Sequence, residues 1–353
     1  MVLLNPNNES ILMSQVFSSF AKLNRSDIDW MIAAGKQEEI PVDKVLMQEG
    51  QPIEALYFLL NGTLTMSVSE QGDAEVRKEI GRLSKGDLLG EMSFVDDYLP
   101  SVTVKSLEKS QILSVPKREL LAQLEQDLGF AARFYQMLSI KLSSRLRNLS
   151  DLLARSKIVP GQPLRKVLFV FAVLNDSDID WLITKGVKEK IPADKVLITE
   201  GKTVDFLYIL LEGMLAVSVS SLVEGEKVER EIAKLATGEI VGEMSFVETG
   251  QASASVKSFT DSFLLALSKL ELAEKLQQDN GFAARFYRAI TVVLVDRLRD
   301  RLIRRGFGRL AYDKDQLLAE DIEYEDEIDL NVLEHMALAG ARFDWMSKRF
   351  KSN

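Results

Sequence analysis

The chain has 353 residues, of which 46% are hydrophobic and 27% charged, with a net charge of -9 at pH 7; this is a globular composition, long enough for two domains that each bury a core. The absence of cysteine excludes disulfides and thiolate metal sites, the single His335 excludes histidine-rich metal centres and paired-histidine catalysis, and the negative charge gives no footprint for wrapping nucleic acid. The longest apolar run, Val167 to Leu174, is far below the roughly 20 residues that span a bilayer, and no lysine or arginine precedes Lys22 to start a secretory signal, so a cytoplasmic location is expected.

In chain order, a leader (residues 1–15) precedes "SDIDWMIAAG", which predicts a helix with Ser26 as its cap, Asp27 and Asp29 in the first turn and Gly35 as its stop. Short strands follow in "KVLMQEG", "ALYFLLNGTLTMSVS" and "VRKEIGRL", broken at Gly50, Gly62 and "EQGD". Many short strands separated by glycines predict a sandwich or small barrel. After "LLGEMSFVDDYLPSVTVKS" comes a long helix whose stripe runs Phe130, Phe134, Leu138, Leu142 and Leu146, one face at spacings of four.

The same order then repeats. "LNRSDIDWMIAAGKQEEIPVDKVLMQEG" from Leu23 matches "LNDSDIDWLITKGVKEKIPADKVLITEG" from Leu174 at an offset of 151, and the offset becomes 152 at the two "GEMSFV" segments (Gly90, Gly242). The extra residue belongs to the second copy, in the segment that corresponds to Ser69–Arg77 of the first, where a hairpin connection absorbs it most cheaply. The second stripe is Phe282, Phe286, Ile290, Leu294 and Leu298. A repeat of this length is a duplicated domain, here residues 16–153 and 166–305, joined by a linker at 154–165.

The "QEG" turn at Gln48 to Gly50, "YFLLNG" ending at Gly62, "GDLLGE" from Gly86 to Glu91 and the terminal helix resemble the cyclic-nucleotide-binding domain family, over most of the chain. The resemblance implies a mainly β, α+β fold: two tandem β-rolls, jelly-roll-like, with flanking helices. It also implies that each "GE" segment is a phosphate-binding cassette, with Gly90, Glu91 and Ser101 in one copy and Gly242, Glu243 and Ser253 in the other as the ligand-binding candidates. Glycines that allow close backbone approach, and N–H groups at a helix start, suit an anion. In the family the glutamate binds the ribose 2′-hydroxyl and an arginine ten or eleven residues after the glycine pairs with the phosphate. Here Pro100 and Ala252 hold those places, and the next arginines are Arg118 and Arg285. The nearest cations are Lys105 and Lys257.

An unpartnered buried charge costs about 3–5 kcal/mol, which is roughly two to three and a half decades of affinity. Two readings stay open. In one the cassette is a structural turn in which Phe94 and Phe246 fill core and Glu91 and Glu243 cap helices or bond backbone. In the other a ligand still binds, held by backbone N–H groups and a lysine, or is less anionic.

Residues 306–353 form an acidic tail ending in an amphipathic helix. The carboxylate run "DIEYEDEIDL" repels phosphate and argues against DNA binding. The basic end "DRLRDRLIRR" before it either pairs with this tail or is solvated. In "FDWMSKRF", Phe343, Trp345, Met346 and Phe350 are candidate partner-binding residues, for another protein or a membrane surface, with packing on the second domain as the alternative. Neither a metal, a cofactor nor a catalytic constellation is expected. The expected function is that of a non-enzymatic adaptor or assembly protein acting through protein partners, with degenerate pockets; the alternative is a true cyclic-nucleotide receptor that signals by helix movement.

Overall fold

A computed structural model describes residues 20, 22–70, 73–96, 98–154, 169–223, 226–304 and 330–352. The leader at 1–15, the linker from 155 onward and the acidic run up to Asp329 lie outside them. The chain divides into one unit running to Met137 and a second formed by Leu138–Arg305 with the C-terminal helix, so the division falls inside a helix and not in the linker.

The first repeat runs α1 (Arg25–Ala34), β1 (Lys36–Ile40), β2 (Val45–Met47), β3 (Ala55–Asn61), β4 (Leu64–Glu70), β5 (Asp73–Leu83), β6 (Leu88–Leu89), α2 (Glu91–Asp96), β7 (Thr103–Ser106), β8 (Ser110–Pro116), α3 (Lys117–Gln126) and α4 (Leu128–Ala154). The second runs α5 (Phe169–Val173), α6 (Asp176–Lys185), β9 (Val187–Ile191), β10 (Val196–Ile198), β11 (Phe206–Glu212), β12 (Met214–Val223), β13 (Glu226–Ala236), β14 (Ile240–Val241), α7 (Glu243–Val247), β15 (Ser255–Ser258), β16 (Ser262–Ser268), α8 (Lys269–Gln278) and α9 (Asn280–Arg304), and α10 (Leu330–Ser352) ends the chain.

Each repeat is a roll of two four-stranded sheets, mainly β with flanking helices. The orders are β1-β8-β3-β6 and β2-β7-β4-β5 in the first, and β9-β16-β11-β14 and β10-β15-β12-β13 in the second, with every pair antiparallel. Inward residues of both sheets make the core, with Leu59, Leu64, Val104 and Ile112 in one roll and Leu210, Leu215, Val256 and Leu264 in the other. The change of offset lies in the β4–β5 and β12–β13 hairpins, and pairing is kept on its near side: Ser69 faces Arg77, and Ser220 faces Glu229.

The first helix departs from expectation at its start. Asn24, not Ser26, is the cap: its Oδ1 accepts from the Asp27 N–H at 2.9 Å while Asp27 Oδ2 accepts from the Asn24 N–H at 2.9 Å. This reciprocal box satisfies two backbone donors at once, which Ser26 cannot do from inside the helix; its hydroxyl donates to Asn24 instead. Asn175 and Asp178 repeat the box in α6. Gly35 ends α1 in extended backbone, and the reason for glycine is proximity, since a Cβ there would meet Leu113 Cδ1 and the Met31 carbonyl at 2.7 Å.

Both stripes face inward. Phe130, Phe134, Leu138, Leu142 and Leu146 on α4 are buried, as are Phe282, Phe286, Ile290, Leu294 and Leu298 on α9. Ring contacts tie each cassette helix to its stripe, Phe94 on Phe134 and Phe246 on Phe286, with 5.8 Å between centroids in each.

Candidate functional site

The two cassettes form as short helices behind glycines at positive φ. Gly90 has φ 89° and precedes Glu91 on α2; Gly242 has φ 90° and precedes Glu243 on α7. The positive φ strains any side chain at either position, and a Cβ would also meet the tip of Ile53 at 2.8 Å in the first and the Phe206 carbonyl, which is backbone, at 2.9 Å in the second. Glu91 and Glu243 are both buried.

The second cassette is where the partners of the glutamate are seen. Glu243 Oε1 accepts from Nη1 of Arg297, a residue of α9, and Nη2 of the same guanidinium donates to the Ile240 carbonyl at 2.6 Å and to Glu239 Oε2 at 3.4 Å. Glu239 also accepts from the Ala236 N–H at 3.2 Å. Burial pushes the Glu239 carboxyl above the usual range, against the pull of Arg297. Burial draws the Arg297 pKa down, but Glu243 and Glu239 outweigh it and leave it above the ordinary arginine value. Beyond the helix cap or backbone bond expected of it, the Glu243 carboxylate pairs with an arginine brought in by the stripe helix.

The places read as those of the family's arginine are filled without charge. Ala252 is buried in the apolar cluster with Ile198, Val241 and Val256, and its carbonyl accepts from the Gly201 N–H at 2.9 Å. Pro100 is buried and accepts from the Gly50 N–H at 2.9 Å. Ser253 Oγ lies 3.5 Å from Met244 Sδ, and Ser101 is half-buried. Lys105 and Lys257 do not enter the cassettes; they pair with Asp43 at 2.8 Å and Asp194 at 3.0 Å. A different lysine does contact the second cassette: Lys269 Nζ donates to Ser245 Oγ at 2.7 Å, and burial pushes its pKa down to about 8 despite Asp205 and Glu243.

Gly242, Glu243, Ser253 and Ala252 line a cavity of about 100 Å³ with an apolar floor of Ile198, Val217 and Val256, lined as well by Arg297 and Arg301 of α9 and by Leu146 of α4. That is below the ~300 Å³ at the small end of ligand pockets. Two further arginines brace this end of the unit. Arg301, 8% exposed, donates to the Leu146 carbonyl at 3.3 Å, and Arg147 donates through Nε at 3.0 Å and through Nη2 to Glu248 at the end of α7. The basic stretch at the end of α9 is thus partly built into the unit, and not simply solvated.

The apolar residues proposed for docking lie elsewhere. Phe343, Met346 and Phe350 of α10 are buried within the second unit, Phe343 against Phe171 at 5.2 Å and Phe350 against Phe263 at 6.1 Å between centroids. These three are not presented to a partner, because the same apolar spacing that suits a groove on another protein suits the α5–α6 face of this one. Trp345 is 40% exposed. Arg342 fixes the helix by donating to the carbonyls of Phe171, Ala172 and Leu174 and to Asp176. Among the described residues no helix is long and apolar enough to cross a membrane, and no group of three or more histidine or carboxylate residues is placed to hold a metal.

Comparison with known proteins bears on the whole chain. The sequence model of the cyclic nucleotide-binding domain matches residues 37–127 and 188–279, together just over half of the chain. The chain is 27% identical over 126 residues to the cAMP-activated global transcriptional regulator CRP of Pasteurella multocida (strain Pm70), an alignment covering 35% of this chain and 56% of that one; the chain thus spans about half the length of this relative. Among solved structures, the regulatory domain of Toxoplasma gondii PKA with cAMP aligns at 16% identity and a TM-score of 0.32, covering 80% of this chain and 95% of that one. The regulatory subunit of a cAMP-independent protein kinase A from Trypanosoma brucei aligns at 17% and 0.29, covering 78% and 92%. With two matched segments, each lying in one of the two rolls and each containing its glycine-glutamate cassette, the chain belongs to the cyclic nucleotide-binding domain family.

Proposed function

We propose that this protein is a non-enzymatic regulatory adaptor or assembly component that acts by binding protein partners, with cassettes that no longer take a cyclic nucleotide. One observation carries the reading: Glu243, the carboxylate that would receive a ribose hydroxyl, is already paired with Arg297 of the same chain. A nucleotide entering this site meets no arginine at Ala252 and has to break a buried ion pair to reach the glutamate, a change that costs several kcal/mol. The narrow cavity supports the same conclusion. Calorimetry of the full chain against cAMP and cGMP is expected to show no heat at low micromolar concentration. A micromolar affinity that disappears in Glu91→Ala and Glu243→Ala would overturn the reading.

The alternative is a cyclic-nucleotide receptor that signals by helix movement to a partner protein, and it draws on the cavity lying over Gly242, Glu243 and Ser253. In that case nucleotide displaces Arg297 and frees α9, shifting a conformational population. The same titration decides between them.

A further inference from the structure

The polar end of this cavity gathers the carboxylates of Glu239, Glu243, Asp296 and Asp300 beside the cations Lys234, Arg297 and Arg301. Glu243 and Glu239, 2% and 8% exposed, converge there with the Ile240 carbonyl. Buried carboxylates of this kind are stable only against a charged donor, and the chain provides one from itself in the guanidinium of Arg297. The seat is incompletely used. Arg297 Nε has no hydrogen-bond partner, and the 3.4 Å contact of Nη2 with Glu239 is longer than the ~2.7–2.9 Å of a well-formed charge-assisted bond. Beside the seat lies the cavity of about 100 Å³, whose floor of Ile198, Val217, Ala252 and Val256 carries no charge.

We propose that this site binds a small organic cation, an amidinium, guanidinium or alkylammonium with an apolar body, which takes Glu243 and Glu239 from Arg297 and lays its body on the apolar floor. The proposal rests on the reading that the pocket does not take the anionic nucleotide, and extends it: the charge preference of the cassette is inverted. The donor geometry fits, because a planar amidinium offers two parallel N–H groups to a carboxylate as the arginine does. Displaced Arg297 stays on the cavity wall, which Asp300 of the same helix also lines. Binding then removes the ionic tie between α9 and α7 and leaves the Phe246–Phe286 ring contact as their link, so that occupancy of the site is read at the helix.

The test is calorimetry of the full chain with benzamidine, with benzyl alcohol as the neutral comparator and cAMP as the anionic one. In the wild-type chain benzamidine competes with a tethered rival that holds the seat most of the time, so Arg297→Ala is expected to bind it about tenfold tighter or more, and adding Glu243→Gln is expected to remove the gain. Arg297→Ala leaves two buried carboxylates bare and can lower folding stability, so Arg297→Lys is measured beside it, with an expected affinity between the two. Benzamidine affinity that is the same in wild type and both Arg297 variants, or matched by benzyl alcohol, overturns the cation site. If cAMP is silent in that experiment, the cation site falls alone; if cAMP binds at low micromolar concentration and loses its heat in Glu243→Gln, the preceding reading of the pocket falls and the inverted preference with it.

Discussion

Arg133 holds Asp27 with both ends of its guanidinium, Nε to Oδ2 at 2.6 Å and Nη2 to Oδ1 at 2.7 Å, and Arg285 holds Asp178 in the same way at 2.6 and 2.9 Å. The aspartate in each pair is also the third residue of a capping box, so one buried carboxylate starts a helix and fastens it to the stripe helix. Asp178→Ala is expected to lose the fork and the reciprocal half of the capping box together, while Asn175 still accepts from the backbone N–H of residue 178, at a cost of about 3 kcal/mol, near the low end for a broken buried pair because Arg285 is 31% exposed. Urea unfolding followed by tryptophan fluorescence measures it. A loss under 1 kcal/mol would show that the fork contributes little.

The glycines separate strain from collision. Gly201 and Gly242 both have positive φ, 75° and 90°, but an added Cβ meets nothing within 4 Å at Gly201 and the Phe206 carbonyl at 2.9 Å at Gly242. Gly201→Ala is expected to cost about 1 kcal/mol from backbone conformation alone. Gly242→Ala is expected to cost at least twice that, since backbone must move, and equal losses by thermal unfolding would contradict the distinction.

The C-terminal helix gives a contrast between neighbours. Phe343→Ala removes a buried ring and is expected to destabilise the second unit by about 3 kcal/mol, whereas Trp345→Ala, at a side chain 40% exposed, is expected to change stability by less than about 1 kcal/mol. Chemical denaturation of the two variants checks this. If Trp345 is the more damaging site, the helix is seated on a different face from the one described.

Lys269 sets a pH dependence. Its folded pKa, about 8, lies below the ordinary 10.5, so between these values the unfolded chain binds the extra proton and stability rises with pH. The rise is expected from pH 8 upward and absent in Lys269→Met. Tyr287, whose phenol is pushed up to about 12 by burial, acts in the opposite direction above pH 10, because there the unfolded chain has lost a proton that the folded one keeps. Unfolding midpoints of the two chains compared from pH 7 to 10 isolate the lysine.

The repeat, the strand pattern and the helical stripes are legible in the sequence because each is a local period or a constant offset. The cap of α1 is not, since Ser26 and Asn24 are both good capping residues and only the reciprocal bond to Asp27 decides between them. The partner of Glu243 is harder still. Arg297 stands in a run of arginines that reads as a solvated face, and nothing local marks the one that turns inward. A signal was nevertheless present: Arg145 stands 54 residues after Glu91, and Arg297 the same distance after Glu243. For Phe343, Met346 and Phe350 the amphipathic pattern predicts a buried face correctly but carries no information on whose surface buries it.

The boundary inside α4 lies earlier in the chain than the start of the second repeat. Residues from Leu138 onward belong to the second unit, where Leu146 supplies the acceptor for Arg301 and Arg147 grips Glu248. A fragment begun at the sequence repeat, near residue 166, would carry the whole second roll and still lack the Leu146 carbonyl that accepts from Arg301 and the Arg147 guanidinium that donates to Glu248. A second-half fragment begun at Leu138 instead keeps both contacts, because it inherits the closing turns of the first half's last helix.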